Sequence, residues 1–297
     1  MESVSVIIPT YNREHTLRIV LNSYLEQEQV KEIIFVIDGS TDNSKQYLSS
    51  IRNEKIKIRI IENEKRMGLP FSRNRGVSEA KCNLVFMGED DVFLSQGTIV
   101  SLMNVMRQKS ADIAGGRVLY MSDNESFEDT LARYNSKLGY PVDFETLDVS
   151  FGNCFTQTLE VPFLQAIALI KKSVFDEVAY DTSFNGSAYR EETDFYLRCR
   201  KYGKKIFWSP AQEVYNLPPS MCKNSGQRSI SPLIYELSAI KNNFKFLLRH
   251  YSYLKSEYGI KSSFSALQLH FMKQRFRRVS MSVRRRLHIQ EASKYAG

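Results

Sequence analysis

Three polar clusters have the residue types for chemistry: Pro9-Thr10-Tyr11-Asn12-Arg13, Asp38-Gly39-Ser40-Thr41-Asp42 and Gly88-Glu89-Asp90-Asp91. Each follows at once on a short apolar run, at 4–9, 32–37 and 83–87. Three adjacent acids repel one another unless a cation or several donors offset them. The usual solution is a divalent ion held by one or two carboxylates, its shell completed by water and substrate phosphate. A fourth cluster, the acidic Glu191-Glu192-Thr193-Asp194, opens a helical pattern. Acids in a first helical turn either complement the dipole or, facing a cavity, take a proton as general base.

Those clusters need elements to bring them together. Apolar runs at 4–9, 32–37, 56–62 and 83–87 alternate with helical stretches at 14–27, 43–51 and 71–80. Such alternation predicts an α/β chain with βαβ units and a mostly parallel central sheet flanked by helices. In these sheets ligands bind beyond the carboxyl ends of the strands, where the three clusters lie. A helix at 99–107 and a strand at 111–120 follow, and 122–160 reads as irregular with one hairpin around 151–161. A strand at 166–170, helices at 172–177 and 192–202, and short strands at 205–208 and 213–215 complete the body. The segment LPPSMCKNSGQRSISP (217–232) has the composition of a mobile loop, and helical patterns at 233–249 and 264–287 come after it.

With 42% hydrophobic and 25% charged residues, the chain is in the globular range, which excludes wholesale disorder. No run approaches the eighteen apolar residues of a membrane-spanning helix. The start passes straight into an apolar strand, predicting no signal peptide. Cys82, Cys154, Cys199 and Cys222 form no CxxC pair, which fits free thiols in a reducing compartment, and four scattered His give no zinc pattern. Charge divides sharply: residues 1–218 carry 26 Lys and Arg against 30 acids, whereas 219–297 carry 15 against 3. A basic end of this kind suits a polyanionic surface.

In order, SVIIPTYNRE, EIIFVIDGSTDNS, RMGLPFSRNRGV and LVFMGEDDV resemble family 2 glycosyltransferases of the GT-A, Rossmann-like fold. VPFLQAIALIKKSVFDEVAYDTSF and YREETDFYLRCRKYGKKIFWSP resemble that family's acceptor-side half, so the likeness covers about residues 3–216. It implies a GT-A domain over 1–218, with a donor half at about 1–120 and an acceptor half at about 121–218. A mobile loop (219–232) and a basic helical extension (233–297) follow.

The resemblance further implies an inverting transfer from a nucleotide sugar. Thr10 and Tyr11 match positions lining the nucleoside, Asp38 the acid that accepts from the base ring, usually uracil, and Arg73 a basic residue near the nucleotide. The same clusters add Pro9, Arg13, Gly39, Ser40 and Glu89 to the expected donor contacts, and Arg228 or Lys223 of the loop could reach the diphosphate. The family's Asp-x-Asp metal motif falls on Gly88-Glu89-Asp90. The chain departs at Gly88, leaving Asp90, with Asp91 beside it, to hold Mg²⁺ or Mn²⁺. Glu192 stands where the family has its general-base Asp, with Glu191 and Asp194 in reserve, and Asn216 replaces a His that often helps hold the metal. Gly88, Glu192 and Asn216 leave open a second reading, a catalytically degenerate nucleotide-sugar or glycan binding module. A sugar nucleotidyltransferase and a dinucleotide oxidoreductase are disfavoured, because their glycine-rich phosphate loops are absent.

In the extension, Phe264, Leu267, Phe271, Phe276, Val279, Val283 and Leu287 form an apolar stripe. Lys273, Arg275, Arg277, Arg278, Arg284, Arg285 and Arg286 crowd around it. This predicts a basic amphipathic helix lying on an anionic membrane surface, unless the stripe packs on the body. A lipid-linked acceptor, such as a polyprenyl-linked glycan, and a peripheral place on the cytoplasmic face of the cell membrane follow from the first alternative. Nucleic acid is disfavoured, since no recognition motif accompanies the charge.

Overall fold

The computed structural model describes residues 2–222 and 230–294, with side chains as far as Val279. The chain runs β1 (Val4–Thr10), α1 (Glu14–Leu25), β2 (Val30–Asp38), α2 (Ser44–Ser50), β3 (Lys57–Asn63), α3 (Leu69–Glu79), β4 (Leu84–Met87), β5 (Val92–Leu94), α4 (Thr98–Lys109) and β6 (Ile113–Tyr120). It continues with α5 (Phe127–Asn135), β7 (Leu159–Glu160), β8 (Ala168–Lys171), α6 (Glu191–Lys201), β9 (Ile206–Asn216), α7 (Pro232–Tyr258) and α8 (Phe264–Lys294). All seven residues of β1 are buried and so are eight of the nine in β2. That is the pattern of strands covered on both faces.

The strands form one sheet in the order β3-β2-β1-β4-β8-β6-β9-β5, with β7 paired to β9. From β3 to β4 every pairing is parallel, as the βαβ pattern predicts, whereas β8 joins β4 and β6 antiparallel. Register sets where the site can form. Thr10 is level with Ile37 and Ile7 with Met87, so the three polar clusters leave the sheet side by side at one edge.

Three predicted features differ. The two strands at 205–208 and 213–215 are one strand, β9, whose register against β6 shifts between Gly115 and Arg117. Pro210 sits in that shift, where a missing N–H breaks no ladder. The region 122–160 contains α5, started by a reciprocal capping box between Ser126 and Asp129. It is a short helix whose half-buried face, Phe127, Leu131 and Tyr134, packs at the sheet edge through Phe127 against Phe93 and Tyr215, a spacing the sequence reading passed over. The hairpin at 151–161 does not form, because β7 pairs antiparallel with β9 instead (Leu159 with Trp208).

The C-terminal stripe is divided. Leu267, Phe271 and Arg275 are buried and Phe264 is half-buried, while Phe276 and Val279 are exposed. Part of the predicted membrane-facing row therefore packs on the body and on α7. Val283, Leu287 and Arg284 to Arg286 lie outside the described side chains, as Lys223 and Arg228 lie outside the described residues. No helix among the described residues is long and apolar enough to cross a membrane.

Candidate active site

A cavity of about 880 Å³ opens beyond the carboxyl ends of β1, β2 and β4. Pro9, Thr10, Tyr11, Arg13, Asp38, Arg73, Glu89, Asp90, Asp91, Glu191, Glu192 and Asn216 all line it, joined by Arg66, Tyr120, Tyr235, Glu236, Arg275 and Arg278.

Asp38 ends β2. Its Oδ1 accepts from Asn63 Nδ2 and Met67 N–H, each at 2.7 Å, and its Oδ2 accepts from Gly68 N–H at 2.9 Å. A carboxylate has about four acceptor sites, so one remains for a ligand N–H, while the Met67 and Gly68 contacts bend the 64–68 segment over the cavity. Gly39 (φ +71°) makes that bend possible, since a Cβ there would meet Arg66 N at 2.7 Å. Gly39 and Ser40 do not line the cavity. The Ser40 hydroxyl accepts from Asn12 N–H at 3.0 Å and steadies the turn after β1. Arg66 lies over the Tyr11 ring at 4.1 Å, a flat cationic–aromatic wall beside Asp38.

The acidic turn after β4 is held by a residue of α1. The Tyr24 hydroxyl donates to Glu89 C=O at 2.9 Å and accepts from Glu89 N–H at 3.2 Å. This explains Gly88. A Cβ there would lie 2.9 Å from Tyr24 Cε1 and 3.2 Å from Ile8 Cγ1, so the Tyr24 ring fills the place where the family's first motif Asp would stand. Gly88→Asp is accordingly expected to destabilise by about 1–3 kcal/mol and to weaken the Mn²⁺ response of nucleotide binding. A thermal melt with a metal titration reads both, and an unchanged melt with a stronger metal response would refute the Tyr24 explanation.

Arg13 faces Asp90 at 3.9 Å and Asp91 at 3.2 Å. Burial pushes the Asp90 carboxyl up to about 7 against the pull of Arg13, and burial likewise pushes Glu89 up to about 7 against Arg73. Among the described residues no three His, Cys, Asp or Glu side chains group as a metal cage. Asp90 and Asp91 nonetheless both line the cavity beside the Arg13 guanidinium. That donor set fits a hard cation of the Mg²⁺ type, which takes one or two carboxylates and fills its shell with phosphate and water.

The first turn of α6 sorts its acids. Arg190, at φ +68°, turns the chain into α6, and the helical step between neighbours sends Glu191 and Glu192 to different sides. Glu191 is buried against the Arg73 guanidinium, which also reaches Glu89 at 3.1 Å. Burial, with Glu192 and Glu89 nearby, holds the Glu191 carboxyl above its ordinary range although Arg73 opposes it. Burial works against the charge on Arg73, and its acids more than offset that. Arg73, expected near the nucleotide, lines the cavity and also ties the acidic turn to α6. Glu192 is half-buried and lines the cavity. Asp194 does not. It is fully buried and accepts from Arg249 at 2.7 Å, Arg198 at 2.8 Å and His250 Nε2 at 2.9 Å. Burial favours its neutral form, but His250 and Arg198 hold its carboxyl below the usual range. It joins α6 to α7 and is removed as a reserve base.

Sequence reasoning missed Tyr24, Asn63, Arg66, Tyr120 and Arg275. Tyr24 and Asn63 act through contacts 65 and 25 residues away in sequence, for which no local pattern exists. Tyr120, at 50% exposure, is an aromatic at a strand end, which a search for stacking platforms could have found.

The model of Glycosyl transferase family 2 matches residues 5–178. The chain is similar to glycosyltransferase GlyG of Streptococcus pneumoniae, at 28% identity over 67% of this chain and 67% of GlyG. It is also similar to the minor teichoic acid biosynthesis protein GgaA of Bacillus subtilis, at 30% identity over 71% of this chain and 52% of GgaA. It thus spans about two thirds of the first relative and half of the second. Among solved structures, S. aureus TarS 1-349 in complex with UDP-GlcNAc superposes with a TM-score of 0.58 at 16% identity, covering 86% of this chain and 74% of that one. This last likeness shows the fold. With the family model matching more than half its length, the chain belongs to glycosyl transferase family 2 and is a glycosyltransferase of the GT-A fold.

Proposed function

We propose that the enzyme transfers a sugar from a nucleoside diphosphate sugar, of the uridine type, to a hydroxyl of a glycan or polyprenyl-linked acceptor, with inversion. One observation carries this reading. Asp38, Asp90 and Glu192, from three separate elements, line a single cavity of about 880 Å³, within the range of small-ligand sites.

The remaining acceptor site of Asp38 suits the N–H of a uracil ring lying against Tyr11 and Arg66. The diphosphate then falls toward Asp90 and Asp91. A divalent cation held by these two carboxylates would stabilise the negative charge on the leaving diphosphate. Glu192, across the cavity, takes the proton of the attacking hydroxyl as the anomeric carbon gains positive character. Because base and leaving group stand on opposite sides of the sugar, displacement is direct and the anomeric configuration inverts. Tyr120 at the mouth offers the acceptor sugar a flat apolar face. Asn216 supplies a neutral amide beside the diphosphate.

A panel of UDP-sugars, with and without Mn²⁺, tests the reading by UDP release and thermal melts. UDP with Mn²⁺ is expected to raise the melting temperature by on the order of 5 °C at about a hundredfold excess over Kd, and at least one UDP-sugar should be cleaved. A shift without cleavage of any sugar, even with acceptor glycans present, would favour the binding module that Gly88 and Asn216 also suit. The absence of both shift and cleavage would remove the donor site.

A further inference from the structure

The hairpin of α7 and α8 turns a second face away from the body. On α7, Leu233, Leu237, Phe244 and Leu248 are 68%, 58%, 44% and 66% exposed. Their spacings of four, seven and four keep them on one line of the helix, opposite the buried Phe246 and His250. The exposed Lys241 and Lys255 share that line. The helix α8 runs antiparallel beside it, with Arg275 paired to Glu236 and Gln268 to Asn243. It contributes Leu269 and Phe276, 52% and 60% exposed and seven residues apart, flanked by the exposed Lys273 and Arg277.

Six large apolar side chains on adjoining helices form an interaction surface rather than isolated exposure, and their surroundings identify the partner. Between residues 230 and 279 the chain has two acids. Glu236 is turned inward to Arg275, and Glu257, by helical phase, lies on the far side of α7. The outward face is therefore apolar and cationic throughout. A second copy packed on it by a two-fold axis would set a face whose charges are all positive against itself, at a cost in like-charge repulsion. An anionic bilayer interface accepts both components: apolar side chains enter the acyl boundary while Lys and Arg stay at the headgroups.

We propose that the outward row of α7, with Leu269 and Phe276 of α8, lies on an anionic lipid surface. The surface shares Phe276, Lys273 and Arg277 with the pattern predicted on α8, but its main row is on α7, and Phe264, Leu267 and Phe271 of the predicted stripe are taken up in packing. Tyr235, Glu236, Arg275 and Arg278 of the same hairpin line the cavity, so a hairpin lying on lipid holds the cavity mouth at the headgroup plane. This delivery of a lipid-linked acceptor rests on the function proposed above; the lipid contact itself does not.

Co-sedimentation of the full chain with vesicles tests the contact. Wild type is expected to pellet with phosphatidylglycerol–phosphatidylcholine vesicles, and far less with phosphatidylcholine alone or at high salt. A triple variant, Leu237→Ser, Phe244→Ser and Leu248→Ser, should partition roughly a hundredfold more weakly. A second, Lys241→Glu, Lys273→Glu and Arg277→Glu, should lose the salt dependence together with the binding. None of the six residues lines the cavity, so UDP release from a cleaved donor confirms that each variant is folded. Wild type left in the supernatant, or a serine variant pelleting like wild type, would overturn the proposal. So would a wild-type dimer in size-exclusion chromatography that the serine variant breaks, since the row would then belong to a second copy. Vesicle binding by a chain that binds no nucleotide would strike the donor reading and leave this one standing.

Discussion

Replacement of Glu192 by Gln is expected to lower transfer by about 10²–10⁴-fold, the contribution of a positioned general base, while UDP affinity stays within a factor of two or so of wild type. The amide keeps the size and hydrogen-bonding reach of the carboxylate but cannot take a proton. Nor can its neighbours substitute. Glu191 is engaged with Arg73 and has 1% of its surface exposed, and Asp194 is fully enclosed by two arginines and a histidine. Glu192 alone among the three is half-buried at the cavity wall. Single-turnover transfer with calorimetric UDP binding separates the two effects. Transfer within tenfold of wild type would move the base elsewhere. Equal losses of transfer and UDP affinity would make Glu192 a binding residue.

How much of this was legible in the sequence depends on the range over which each feature is determined. Strands β1, β2 and β4 are near-continuous apolar runs that end in polar clusters, so the sheet edge and the convergence of Asp38 and Asp90 could be read locally. Gly88 was visible as a departure from the metal motif, but its cause, the Tyr24 ring 64 positions earlier, is a packing fact. The basic amphipathic pattern of α8 was equally plain. Its orientation was not, because periodicity defines a face without saying what covers it. Here the Arg275–Glu236 pair and the burial of Leu267 and Phe271 turn that face inward, and α7, whose outward leucines look unremarkable in sequence, presents the exposed row. Arg73 is the sharpest case. The resemblance placed it near the nucleotide, but its partners, 16 and 118 residues away, are both acids of the protein and no local pattern announces them.

That arrangement makes Arg73 a positioning residue, and Arg73→Met should destabilise the fold by about 3–5 kcal/mol, the usual consequence of removing one partner from a buried ion pair. For a chain of this size the melting temperature would fall by on the order of 10 °C. Glu191 would be left as a carboxyl with 1% exposure and no cation in contact, and the Tyr180 ring, 5.3 Å from the guanidinium, would lose its cationic neighbour. Glu89 is only partly enclosed, enough to raise its carboxyl, and at 26% side-chain exposure it suffers less because water reaches its open side. Adding Glu191→Leu to Arg73→Met removes the stranded acid, so most of the lost stability should return, as when buried pairs are replaced by apolar residues of similar size. Turnover should not return with it. Arg73 and Glu191 together fix the first turn of α6, and with it Glu192, against the acidic turn after β4; an apolar pair fills the space without specifying that distance. The signature is a double variant that melts near wild type, binds UDP normally and has a depressed kcat. If turnover recovered in step with stability, the contribution of Arg73 would be to folding alone, and Glu192 would be positioned by the rest of α6.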